Sequence, residues 1–136
     1  MVVMTETPGT PDLLRWLKFG ANFWNVLRAE HPELTAINFD GAVLDGMILT
    51  GVNFANVSLR GASLHATNLM NADLREADLT GANLVEADLI MARLQGSILT
   101  GAKLHQADLL GAELAGATFS RDDLAGALHV PESAKL

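Results

Sequence analysis

Leu or Phe recurs at every fifth residue from Phe39 to Leu124, eighteen consecutive times, in a chain where the two together are only 28 of 136 residues. Five fits neither the 3.6-residue period of an α-helix nor the two-residue alternation of a strand. A long helix and a flat sheet therefore both fail the pattern, and a chain that turns a corner every five residues satisfies it.

Two further lanes run in phase with the first. Two residues before each centre, Ala fills 11 of 18 positions, including the unbroken run Ala72, Ala77, Ala82, Ala87, Ala92; the last position alone is charged, Asp122. Two residues after each centre, Gly fills 10 of 18 positions. In a four-residue turn such as Leu44-Asp45-Gly46-Met47 that Gly is the third residue, where a type II turn requires positive φ. The small residue and the central Leu or Phe point inward, and the turns are encoded between them.

Quintets such as Ala72-Asp73-Leu74-Arg75-Glu76 and Ala77-Asp78-Leu79-Thr80-Gly81 resemble the A(D/N)LXX repeat of the pentapeptide-repeat family. The resemblance covers about two-thirds of the chain. It implies a β fold, a right-handed quadrilateral β-helix with four quintets per coil. Eighteen quintets then make between four and five coils, a rod roughly 20 Å long at the usual ~4.8 Å strand spacing. Each coil buries its Leu and Ala only against its neighbours, so stability is close to a nearest-neighbour sum.

Both ends of such a solenoid leave apolar core and unpaired strand edges that require covering. Thr10-Pro11-Asp12 places an N-cap residue before a helical Pro, and Leu13, Leu14, Trp16 and Leu17 supply an apolar helix face, which predicts a helix over 11–19. A second helix is predicted over 21–29, ended by His31-Pro32. Both tryptophans lie in this region, as suits a plug over a first coil whose inward lane carries the bulkier Ile37, Met47, Val52 and Val57. At the other end Asp122 breaks the inward lane and His129 occupies the next centre, so the coil is expected to stop near Leu124, with Leu128, Val130 and Pro131 folding over it. The expected division is an N-terminal tail and short helical cap at 1–35, the solenoid at 36–126 and a C-terminal tail or cap at 127–136.

Composition removes several function classes. The absence of cysteine excludes disulfides, thiolate metal sites and Cys nucleophiles. No apolar stretch is long enough for a membrane span and no secretory leader opens the chain, so a cytoplasmic protein is expected. A net charge of −7 disfavours direct binding to nucleic acid or to anionic lipid. Phosphate loops, zinc motifs and nucleophile elbows are missing. A filled solenoid interior offers no deep pocket. No catalytic residue, cofactor, metal or small-molecule substrate is therefore expected.

With twenty residues per coil, side chains twenty apart stack, which turns the sequence into surface columns. Asn53, Asp73, Arg93 and Glu113 form one that alternates in charge at ~4.8 Å steps, an exposed ladder contributing roughly 0–1 kcal/mol per pair. Asp88 and Asp108 stack as like charges. His65 and His105 are separated by Val85 and lie ~9.6 Å apart, too far for joint metal ligation. A further column, Thr50, Met70, Ile90 and Leu110 with Met91 beside it, is apolar where most quintets are polar there. Met70, Ile90, Met91 and Leu110 are the candidate surface for a protein partner or a homodimer. The bland alternative has them packed beneath the N-terminal helices or simply tolerated.

Two functions follow. The first is a non-catalytic scaffold or protein-binding module. The second comes from the resemblance: some members of the family present an acidic, DNA-like rod to type II topoisomerases such as gyrase. Residues 36–126 carry 11 acidic and 5 basic side chains, a net charge of −6, about half the ~12 phosphate charges of a duplex of that length, so the first reading is preferred.

Overall fold

The computed structural model describes residues 4, 6 and 8–135. From Asn38 onward the backbone forms a ladder: among the described residues, fourteen parallel bridges join residues twenty apart, from Asn38–Ser58 to Asp108–Leu128. Between rungs the chain turns every five residues, the amide of each small residue closing onto the preceding centre's carbonyl, as in Met47 N–H to Leu44 O at 3.2 Å and Ala82 N–H to Leu79 O at 3.0 Å. The result is a β-helical solenoid with a twenty-residue repeat.

One quintet shows why its residue types are what they are. In Ala82-Asn83-Leu84-Val85-Glu86, Asn83 N–H reaches back one coil to Ala62 O, while Leu84 and Glu86 donate forward to Lys103 O and His105 O. Ala82 N–H closes the turn. Only Val85 N–H lacks a ladder partner, and Asn83 Oδ1 accepts it at 3.1 Å. The Asp or Asn of the repeat thus satisfies the one amide that the ladder leaves over. Where Ser58 and Ser63 stand instead, Asp40 and Asp45 of the preceding coil accept the amides of Arg60 and His65.

The interior is the expected pair of lanes. Leu74, Leu79, Leu84 and Leu89 are 0% exposed, and of the eighteen centres only Phe119 is not buried. Two buried polar residues share the inward lane. Thr67 donates its hydroxyl to Leu44 O at 2.9 Å, whereas the buried Ser97 hydroxyl has no hydrogen-bond partner among the described residues.

Helix α1 spans Thr10–Leu17 and α2 spans Ala21–Glu30. The N-cap of α1 is Gly9, not Thr10. Thr10 is already helical, and its hydroxyl donates to Asn38 O at 3.0 Å. The helix also ends at Leu17 rather than Phe19. Helix α2 covers one edge of the first coil: Trp24 Nε1 donates to Asn53 O, Asn25 brackets Gly51 O and Asn53 N–H, and Arg28 donates to Asn53 O and Ala55 O. Trp24 is fully buried, its ring 5.4 Å from Phe39 and 6.1 Å from Phe54. These contacts supply partners to strand groups that would otherwise be left unpaired.

At the far end the sequence reading stops the coil near Leu124, but the ladder runs one quintet further. A 3₁₀ turn, Asp122–Leu124, interrupts the regular pattern where Arg121 adopts φ −56° in place of the left-handed corner. Asp123 repairs the gap by accepting Gly101 N–H at 2.9 Å and Ser120 N–H at 2.7 Å. The corner at Gly126 is regular again and brings Leu128 into register with Asp108. Val130 packs against the core and Ala134 is buried, but Leu128 stays exposed rather than folding inward. No helix among the described residues is long and apolar enough to cross a membrane.

Candidate functional site

The columns anticipated from the sequence exist, because the bridges fix the twenty-residue register. In the stack of quintets centred on Leu49, Leu69, Leu89 and Leu109, Asn71 N–H donates to Ile90 O and Met91 N–H to Leu110 O, at 2.9 and 2.8 Å. Met70, Ile90 and Leu110 therefore follow one another from coil to coil. Met70 and Ile90 are half-buried, while Met91 is 54% and Leu110 52% exposed. Met91 lies across Gly111, its sulfur occupying the space a Cβ there would need.

The helices leave Met91 and Leu110 exposed. Their hydrogen bonds to the solenoid go to Asn38 and to residues 51–55 of the first coil. Ile48, 76% exposed, begins the neighbouring lane of the same stack, and Leu128, 40% exposed, ends it. Asn68, Asp88 and Asp108 lie between them, so that lane is apolar only at its two ends.

Asp88 and Asp108 are bridged neighbours, as expected of stacked like charges. Each accepts the amide two residues on, Ile90 N–H and Leu110 N–H, at 3.0 Å. Asp108 also meets His129 Nδ1 at 2.8 Å. Partial burial works against ionising Asp108, but the bonds from His129 and Leu110 N–H outweigh it and hold the carboxyl below the usual range. His129 is exposed and does not serve as an inward centre.

The alternating charge column does not pair as a ladder. Asp73 binds Arg75 of its own quintet through two bonds, 2.7 and 2.9 Å, rather than Arg93 one coil on. That guanidinium, working against partial burial, lowers the Asp73 pKa. Asp78 is similarly paired with Arg60 at 3.0 Å. No group of three or more His, Asp or Glu side chains among the described residues is arranged to hold a metal. A groove at the C-terminal end is lined by Leu124, Val130 and Ala134.

Comparison with known proteins agrees with this architecture. The model of the family Pentapeptide repeats matches in eight copies, over residues 37–75, 67–101 and 97–127. The crystal structure of alr5209, a pentapeptide repeat protein from Nostoc PCC 7120, is similar at 34% identity over 76% of this chain and 93% of that one, with TM-score 0.60. Rfr23, a pentapeptide repeat protein from the cyanobacterium Cyanothece 51142, is similar at 29% identity over 67% of this chain, with TM-score 0.52. The chain spans 63% of Rfr23, less than two thirds of its length. QnrB1, a plasmid-mediated fluoroquinolone resistance protein, is 18% identical over 65% of this chain and 60% of that one; its TM-score of 0.29 is too low to carry an argument. No curated protein matches the sequence. A repeat match running from residue 37 to residue 127, on a solenoid with leucine or phenylalanine at the centre of each quintet, places the chain in the pentapeptide repeat family.

Proposed function

We propose that the chain is a non-catalytic protein-binding module of the cytoplasm, built as a right-handed quadrilateral β-helix at 36–126 between an N-terminal helical cap at 1–35 and a C-terminal cap at 127–136. Four turns in each twenty-residue repeat support the square section. The family supports a binding role over catalysis, as does an interior filled by Leu and Ala.

One observation carries the reading: Met70, Ile90, Met91 and Leu110 form a continuous apolar column on a rigid ladder, with Met91 and Leu110 more than half exposed. Contiguous apolar surface of this kind marks interaction sites on soluble proteins. The acidic DNA-mimic alternative has less behind it, since Asp73 and Asp78 are occupied by Arg75 and Arg60. Affinity capture from the native host, with wild-type protein beside the double variant Ile90→Lys and Leu110→Lys, tests the proposal. A partner recovered by the first and lost by the second is expected; identical recoveries would reject the column as the binding surface.

A further inference from the structure

The charge around the apolar column is one-sided. The four stacked segments 45–51, 65–71, 85–91 and 105–111 contain Asp45, Glu86, Asp88 and Asp108 and not one Lys or Arg. All five cations of residues 36–126, Arg60, Arg75, Arg93, Lys103 and Arg121, belong to the other stacks. On those stacks Asp73 and Asp78 are neutralised in place. Asp88, by contrast, spends one oxygen on Ile90 N–H and has no ion-pair partner among the described residues, and Asp108 meets only a histidine.

We infer that the column is a docking surface for a protein segment whose apolar side chains are flanked by lysine or arginine. This inference rests on the protein-binding reading above and adds the chemistry of the partner. Apolar side chains of the partner would cover Met70, Ile90, Met91 and Leu110, and its cations would meet Asp88 and Asp108 along the column's edge. Complementary charge of this kind fixes register and suppresses wrong partners. It also argues against two other occupants. A second copy packed face to face would set Asp88 and Asp108 against their own like charges, and an anionic lipid surface would be repelled by all four carboxylates.

The test is selection of a random peptide library displayed on phage against the full chain. Peptides recovered by wild type are expected to be enriched in apolar residues with Lys and Arg, and to lose binding to the Ile90→Lys, Leu110→Lys variant. Asp88→Asn with Asp108→Asn removes the charge while keeping the oxygen that accepts the turn amide, and should weaken the same peptides roughly tenfold. Circular dichroism of each variant checks that the fold is kept. Recovery of column-binding peptides with no basic preference, or no loss in the Asn variant, overturns the partner chemistry and leaves the protein-binding reading standing. Peptides that bind elsewhere, or none at all, overturn both. A dimer in sedimentation that dissolves on Ile90→Lys makes the occupant a second copy and overturns the inference.

Discussion

The corners of the solenoid supply a matched pair of substitutions with opposite expected signs. Gly81 and Ala66 hold the same position in the turns Leu79–Ala82 and Leu64–Thr67, with φ +68° and +54°, and both are exposed. A Cβ built on Gly81 meets nothing within 4 Å, so Gly81→Ala isolates the backbone contribution. The left-handed conformation costs an L-residue roughly 1–2 kcal/mol, and replacing glycine recovers about 0.4–1 kcal/mol through the unfolded chain. Gly81→Ala should therefore destabilise by about 0.5–1 kcal/mol, and Ala66→Gly should stabilise by a similar amount. For a chain this size each corresponds to a few degrees in Tm, about 2–5 °C. Calorimetry on the two variants and wild type measures both. Equal signs for the two, or a Gly81→Ala protein as stable as wild type, would refute the assignment of left-handed corners to these positions.

Ser97→Ala removes a buried hydroxyl without a partner among the described residues and should raise stability by about 1 kcal/mol, read as a higher urea midpoint; Thr67→Ala, which breaks a bond to Leu44 O, should lower it. Asn83→Ala leaves Val85 N–H without its acceptor and should cost about 1 kcal/mol in the same assay, whereas Asn83→Asp is tolerated. Trp24→Ala empties the fully buried centre of the cap and should cost roughly 3–5 kcal/mol, with end-to-end association in sedimentation as the exposed coil edge seeks a partner. Asp73, Asp78, Asp108 and Asp123 all have lowered pKa values in the folded chain. Their contribution to stability is complete above the ordinary carboxylate pKa of about 4 and is lost as pH falls through the depressed folded values. Thermal melts should accordingly be flat near neutrality and drop in acid, less steeply for Asp73→Asn.

The inward lanes were legible because a period of five left one way to bury every leucine, and Leu79 or Leu89 could be placed from spacing alone. The corners were legible only where glycine marked them. Asn56, Ala66, Asn71, Glu76, Glu86, Met91 and Gln106 adopt the same positive φ, since stacking on the adjacent coils overrides a local preference that argues against it. The role of Asp and Asn before each leucine was hidden until the ladder showed which amide lacked a partner. The Asp73–Arg93 pairing read from the stacking failed because Arg75, two residues away on the same corner, reaches the carboxylate with better geometry. The coil's end was misplaced because Asp122 does interrupt the inward lane, yet Asp123 and Gly126 restore the register beyond it. For the candidate surface, position was readable from the period, while exposure required the folded chain and the one-sided charge required knowing which carboxylates are already paired.

The twenty-residue register can be observed bond by bond. Scalar couplings transmitted through hydrogen bonds, measured by NMR on the labelled protein, should link Leu79 N to Ile98 C′ and Asp78 N to Val57 C′. Couplings from each of these amides to the carbonyl four residues earlier, or none to the neighbouring coils, would contradict the solenoid.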